Sequence, residues 1–332
     1  MVVERLDVPG HEEVVRCSDA RTGLRSIVAI HSTALGPALG GVRFRPYGDD
    51  GEALHDVLRL ARGMTYKAAV AGLDLGGGKA VIVGDPARLR SEELLRAYGR
   101  FVDSLRGRYL TAEDVGTTQA DMDLIREETR HVTGVSESAG GSGDPSPATA
   151  IGVVHAMEAL AEHAWSDGSL EGRHVVVLGA GKVGSALVGH LVAAGASVSV
   201  ADVDPARVHE MVRRHGARPV DVDDALALEC DVLAPCALGG VLDAATIPRL
   251  RCRAVCGAAN NQLVDRADAD RLARAGVLYV PDYVASAGGI INIAEELRGY
   301  DRERAVAAVA GIRRTTGAVL AAAAAEGVTP LD

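Results

Sequence analysis

Two lysines sit in company that alters their chemistry. Lys67 closes the stretch Arg62-Gly-Met-Thr-Tyr-Lys67, and Lys79 follows the glycines Gly76 to Gly78, twelve residues further on. The surrounding sequence is otherwise apolar: the segment ending at Lys67 reads as helix, and Ala80-Val-Ile-Val83 reads as a buried strand. An ammonium that loses hydration has a lowered pKa, and a second ammonium nearby lowers it further. One lysine of such a pair can act as a general acid or base while the other holds an anion such as a carboxylate. The glycines let backbone or substrate approach with no Cβ in the way. The alternative is two lysines reaching to the surface on either side of an ordinary glycine turn. These residues alone leave both readings open.

Two more stretches place polar groups at the edges of apolar runs. Gly36-Pro-Ala-Leu-Gly-Gly41 precedes a strand that runs to Arg45. It reads either as a tight loop whose backbone meets a ligand or as a structural turn. Tyr109-Leu-Thr-Ala-Glu-Asp114 begins as strand and is broken at Gly116, and Thr118 is placed to cap a helix starting at Gln119. Asp114 falls at the strand's end, where carboxylates do chemistry and where they also cap turns.

The run Arg173-His-Val-Val-Val-Leu-Gly179-Ala-Gly181-Lys182-Val183-Gly184 has a more specific signature. An apolar strand enters G-x-G-x-x-G and an apolar-periodic helix leaves it. The first glycine permits the turn, the second lets a pyrophosphate approach the backbone, and the third lets helix and strand pack closely. The helix N-terminus then offers unpaired N–H groups to phosphate. A second strand ends at Asp202, 23 residues beyond Gly179, where a carboxylate binds ribose hydroxyls and repels a 2′-phosphate. The pattern points to NAD as cofactor.

The elements that must position these groups are legible from periodicity. Residues 12–32 read as a β-hairpin turning at Asp19-Ala-Arg-Thr-Gly23, residues 51–66 and Glu92 to Leu105 as amphipathic helices. Gly140-Gly-Ser-Gly-Asp-Pro-Ser-Pro147 reads as the hinge between two domains, followed by a helix from Thr149 to about His163. Later strands Cys230–Ala234, Ala254–Cys256 and Val277–Val280 each run into loops with ligand-capable residues, among them Cys236, Ala237, Asn260, Asn261 and Ser286. Helices from about Ile290 to Arg298 and from Arg302 to Ala325 close the chain. The 332 residues carry a net charge of −10, which disfavours nucleic acid as a partner. The five cysteines are few, scattered and odd in number, with no signal peptide, so the expected setting is a reducing cytoplasm and no metal site. No apolar run reaches the roughly 18 residues of a membrane helix, and the alanine tail Ala318 to Ala325 is short.

Taken together, these stretches resemble the Glu/Leu/Phe/Val dehydrogenase family, and within it the branched-chain and aromatic amino-acid dehydrogenases. The motifs are GPALGG at 36–41, MTYK at 64–67, GGGK at 76–79, the Asp-Val-Gly-Thr-Thr stretch from Asp114, SGDPSP at 142–147, the glycine motif at 179–184 and Ala-Asn-Asn-Gln-Leu at 259–263. The resemblance implies an α/β chain of two domains with a cleft between them. Residues 1–143 would form a substrate and catalytic domain and residues 144–309 a doubly wound Rossmann domain for NAD. The last helix, about 310–332, would return to the first domain. By the same resemblance Lys67 binds the substrate α-carboxylate, Lys79 activates the attacking water and Asp114 exchanges protons with the amino group. Leu39, Gly40, Gly41, Ala112, Ile290 and Ile293 would line the substrate site, and Thr149 and Asn261 would lie by the nicotinamide. The implied activity is reversible NAD-dependent oxidative deamination of an apolar L-amino acid, of the valine or leucine type, to the 2-oxo acid and ammonia. The implied assembly is a homo-oligomer. Phenylalanine or another amine, or NAD binding without turnover, are the alternatives. Isoleucines at 290 and 293, where leucine-specific relatives usually have valines, favour a small aliphatic substrate. One departure stands out: the family's Asn-Ala-Gly-Gly is here Ser286-Ala-Gly-Gly289.

Overall fold

The computed structural model describes residues Met1–Asp332 and divides the chain into two units, Met1–Pro145 with Ile290–Ala305, and Ser146–Gly289 with Val306–Asp332. The first unit holds strands β1 (Val2–Leu6), β2 (Glu13–Asp19), β3 (Leu24–Ser32), β4 (Ala38–Arg45), β5 (Gly76–Val83) and β6 (Tyr109–Glu113). Its helices are α1 (Asp50–Val70), α2 (Pro86–Leu89), α3 (Glu92–Ser104) and α4 (Gln119–Arg126). The expected hairpin is β2–β3, antiparallel and turning at Gly23 with φ +76°. The strand order is β1-β2-β3-β5-β4-β6, with β5, β4 and β6 mutually parallel.

Alternation of side chains across the pleat decides which residues face which layer. Val28, Ile30, Val42, Phe44, Ala80 and Ile82 pack on Leu94, Tyr98, Phe101, Met122 and Ile125 of α3 and α4. Ile27, Ala29 and Val81 face the other way, onto Ala53, Val57 and Ala61 of α1. Lys79 alternates with Ala80, and Leu39, Gly41 and Arg43 alternate with Val42 and Phe44, so these four face α1. The glycines before Lys79 are not a turn but the start of β5. The reason is packing: a Cβ on Gly77 would lie 2.0 Å from the Thr65 backbone nitrogen of α1, and one on Gly78 2.8 Å from the Tyr109 ring. Glycine lets α1 and the Tyr109 ring of β6 close on this strand from its two faces.

The second unit is a parallel sheet. Helix α5 (Ser146–Trp165) leads into β7 (His174–Leu178), α6 (Lys182–Ala193), β8 (Ser197–Ala201), α7 (Pro205–His215), β9 (Arg218–Pro219) and α8 (Val222–Ala225). Then follow β10 (Cys230–Pro235), β11 (Cys252–Val255), α9 (Ala267–Arg274), β12 (Leu278–Tyr279) and α10 (Asp282–Ala285). The order β12-β11-β10-β7-β8-β9 reverses between β7 and β10, which is where doubly wound sheets bind nucleotides.

The ends of the chain correct the expected domain bounds. Helix α11 (Gly288–Ala294) carries the chain into the first unit, and α12 (Arg302–Glu326) carries it back to the second. Glu296 explains the first passage: its carboxylate accepts from the Gly134 and Ser142 amides, at 3.0 and 2.8 Å, within the first unit. The last helix does not return to the first unit as expected. Ile312 fills the place a Cβ on Gly152 of α5 would take, and Arg313 pairs with Glu158 and Glu162 at 3.5 and 3.2 Å. By length and composition α12 is long and apolar enough to cross a membrane, beyond the short alanine run read from the sequence. Its Arg313 nevertheless sits in these ion pairs on α5.

Candidate active site

In the first unit, three neighbouring parallel strands deliver one cluster. Gly41 of β4 is in register with Ala112 of β6, and Val42 with Ala80 of β5. Lys79 Nζ lies 3.0 Å from Asp114 Oδ2, just beyond the end of β6. Gly41 makes this approach possible. A Cβ there would stand 2.9 Å from Asp114 Cβ and 2.4 Å from the Glu113 carbonyl oxygen. Gly40 is equally constrained, since its Cβ would sit 1.8 Å from the Gly78 carbonyl oxygen. The Asp114 loop is held by Thr117, whose Oγ1 donates to the Val42 carbonyl at 3.0 Å and accepts from the Asp114 amide at 2.9 Å. Thr118 caps α4 as expected, in a reciprocal box with Asp121.

Sequence reasoning missed part of the cluster. Arg43 Nε donates to Asp114 Oδ2 at 3.2 Å, and Arg43 Nη1 to Asp56 Oδ2 of α1 at 3.0 Å. Tyr47 OH donates to the same Asp56 oxygen at 2.8 Å. The available signal was strand alternation: Arg43 is the one charged position between Val42 and Phe44, on the face Gly41 shares.

Burial is nearly complete, and it sets the proton affinities. Lys79 is 4% exposed. Burial pulls its ammonium below the usual value, Asp114 opposes that, and Arg43 adds to it. Burial alone would raise Asp114, but Lys79 and Arg43 outweigh it and hold the carboxyl well below the usual range. Asp114 is therefore an anion at any ordinary pH. Lys79 is the group poised to change charge.

The remaining substrate-side residues fall on this same unit. Lys67 is buried in the last turn of α1, two residues beyond the Thr65 that packs on Gly77. Ala112 is 2% exposed, and Leu39 is fully buried on the α1-facing side of β4. Ile293 Cγ2 lies 3.9 Å from the point a Cβ on Gly134 would occupy, beside the Glu113 amide, so the 290–305 segment brings it to the exit of β6. Ile290 begins that segment and is also buried.

The second unit assembles the other group of predicted residues around the ends of β7, β10, β11 and β12. Gly179 has φ +111°, and its Cβ would lie 2.7 Å from the Ala237 amide. Gly184 sits against the Gly179 carbonyl, 1.9 Å from where its Cβ would be, and against Cys236 Cβ. Gly181 is different: a Cβ there would meet nothing within 4 Å, so the glycine keeps open a space that no protein atom fills. Lys182 and Val183 open α6 from it. Asp202 Oδ2 accepts from the Ala180 amide at 2.6 Å and Oδ1 from the Asp204 amide at 2.8 Å. Carboxylate oxygens retain further lone pairs for ribose hydroxyls. These features fit a dinucleotide: an open backbone cradle at a helix N-terminus, and an anion anchored at the neighbouring strand's end.

Other predicted contacts join this group. A Cβ on Gly239 would fall 2.2 Å from the Asn260 carbonyl oxygen, which brings the loop after β10 onto that after β11. Asn261, at φ +52°, donates its amide to Asp282 Oδ2 at 2.9 Å. Gly288 packs on Ala148 and Thr149. Ser286 turns its hydroxyl into its own helix, donating to the Asp282 carbonyl at 2.6 Å. Burial pushes the Cys236 thiol up to about 12, so it contributes shape and not a thiolate.

Comparison with known proteins agrees with the motif resemblance. The family model described as Glu/Leu/Phe/Val dehydrogenase, dimerisation domain, matches residues 11–131, and that described as Glutamate/Leucine/Phenylalanine/Valine dehydrogenase matches 140–211 and 199–300. The chain is 52% identical to valine dehydrogenase of Streptomyces albus over 98% of its length and 90% of the relative's. It is 52% identical to leucine dehydrogenase of Geobacillus stearothermophilus over 89% of its length and 81% of the relative's. The crystal structure of L-tryptophan dehydrogenase from Nostoc punctiforme superposes with a TM-score of 0.79 at 44% identity, covering 97% of this chain and 93% of that one.

Proposed function

The chain belongs to the Glu/Leu/Phe/Val dehydrogenase family of amino-acid dehydrogenases, and from that premise we propose that it catalyses NAD-dependent oxidative deamination of L-valine or a similar branched-chain amino acid. The observation that carries the reading is the buried Lys79–Asp114 pair, 3.0 Å apart, on the face of β5 that α1 covers. Gly181, the α6 N-terminus and Asp202 would hold NAD, which when bound would supply the hydride acceptor for the substrate Cα–H. Lys67 binds the substrate α-carboxylate as a cation at the end of α1. Neutral Lys79 takes a proton from the water that adds to the imino carbon. Asp114, an anion at rest, accepts a proton from the substrate nitrogen and returns it to the departing amine. The sum is zwitterionic amino acid, NAD⁺ and water giving 2-oxo carboxylate, NADH, ammonium and one proton. Ile290, Ile293, Ala112 and Leu39 offer no partner to a charged side chain, so glutamate would leave a carboxylate unsolvated. Each methylene is worth only about 1–3 kcal/mol in such a pocket, so the aliphatic substrates differ modestly from one another.

A homo-oligomer built through the first unit is part of this reading, because the matching family model is described as a dimerisation domain. The test is NADH formation at alkaline pH with valine, leucine, isoleucine, phenylalanine and glutamate. The branched-chain substrates should be oxidised fastest and glutamate not at all. Preference for glutamate, or silence with all five while NAD still binds, would overturn the assignment.

A further inference from the structure

Asp114 Oδ2 receives two cations, Lys79 Nζ at 3.0 Å and Arg43 Nε at 3.2 Å. Only one of them can change its charge. Arginine stays protonated throughout the accessible pH range, whereas a buried lysine titrates. A buried carboxylate paired with a lysine alone would lose its only counter-ion whenever that lysine became neutral, and so would hold it charged. Arg43 removes this constraint. It is itself secured from the far side by Asp56, at 3.0 and 3.3 Å, and Tyr47 OH holds Asp56 at 2.8 Å. The result is a row of alternating charges running from α1 through β4 to the reacting end of β6.

We propose that Arg43 is a positioning residue that holds Asp114 in place while Lys79 gives up its proton, and that Asp56 with Tyr47 anchors Arg43 for that task. The proposal rests on the reading of Lys79 as the base that activates water. Charge direction agrees with the geometry. After burial and Asp114, the largest influence on Lys79 is Arg43, which lowers its proton affinity, while the more distant Asp56 raises it. Of the charged groups, Asp114, Arg43 and Asp56 bear on Lys79. Of the titratable side chains on the elements packed against β5, Asp114 and Tyr109 come from β6 and its exit, Arg43 and Tyr47 from β4 and the loop after it, Asp56 and Lys67 from α1, and His31 from β3. His31 Nδ1 is engaged by Thr65 Oγ1 at 2.9 Å, and Tyr109 OH donates to the Gly40 carbonyl at 2.5 Å.

The test is the pH profile of kcat and KM for Arg43→Gln, Arg43→Lys and Asp56→Asn, with thermal unfolding as a control for folding. Lys79 acts when neutral, so activity rises as pH passes its pKa. Removing a cation raises that pKa: Arg43→Gln should move the acid limb of kcat to higher pH by about one unit, lowering kcat about tenfold below the limb while KM changes less than about twofold. Arg43→Lys should restore most of the wild-type limb. Asp56→Asn removes an anion and should move the limb the other way, to lower pH, by less than the arginine change. A merely structural role would depress both variants without opposite shifts, and that outcome overturns the proposal. So does an unmoved limb in Arg43→Gln. If wild-type enzyme oxidised no amino acid, the functional reading would fail on its own. The Lys79 titration, followed by the ¹³Cε resonance that Lys79→Arg removes, would still decide the role of Arg43 by the same signs.

Discussion

In the first unit the groups with chemistry project from the middles of strands, Lys79 on β5 and Arg43 on β4, onto the face that α1 covers. In the second the residues proposed to hold the cofactor lie in the turns beyond strand ends, where the α6 N-terminus offers backbone amides. Glycine serves both arrangements for opposite reasons. Gly41 and Gly77 are glycines because protein atoms already occupy the place of a side chain. Gly181 is a glycine although nothing of the protein lies within 4 Å of where its Cβ would be. The contrast teaches how to read a glycine. At Gly41 the missing side chain lets Asp114 approach Lys79, and at Gly181 it leaves the N-terminus of α6 open.

The contrast can be broken at its strongest point by removing the base. Lys79→Ala should lower kcat/KM by about 10²–10⁴-fold, while NAD titration by fluorescence remains as in the wild type. Loss of NAD affinity of similar size would mean that the two sets of residues are not functionally separate. The glycines sharpen the comparison. Gly41→Ala would force Asp114 and the Glu113 carbonyl aside, so kcat should fall about 10²-fold, with a destabilisation of about 1–3 kcal/mol seen in thermal unfolding. Gly181→Ala should leave the melting temperature unchanged and raise the Kd for NAD about tenfold, a loss of about 1.4 kcal/mol. The reverse pattern, a folding defect at Gly181 and a silent change at Gly41, would refute the distinction. The smallest effect concerns Asp202. Its carboxylate is already tied to two amides, so Asp202→Ser should loosen the turn slightly and lower the preference for NAD over NADP by only about fivefold to tenfold, read from the ratio of kcat/KM values.

Much of this was legible without a structure. The strand, turn and helix around Gly179 to Gly184, Asp202 at the next strand's end and the Thr118 cap all depend on residues close in sequence, and all appear as read. The glycines at 76–78 allowed a turn reading, because nothing local says that Thr65 and Tyr109 will press on them from either side. The same blindness hid Arg43, Asp56 and Tyr47. Arg43 and Asp114 are distant in sequence and meet only because β4 lies between β5 and β6. Ser286 stands where the family usually has asparagine, and only the structure shows its hydroxyl bonded to the carbonyl four residues back.

Motif order and periodicity by themselves determined the family, the two-unit α/β plan and the strand, glycine turn and helix at 174–193. These rest on local backbone preferences and on side chains a few residues apart. Tertiary structure alone decided that residues 290–305 join the first unit, that α12 packs on α5, and that Lys79 shares Asp114 with an arginine anchored to α1. Strand order and helix docking are set by the sum of many weak long-range contacts, and no short stretch of sequence carries that sum.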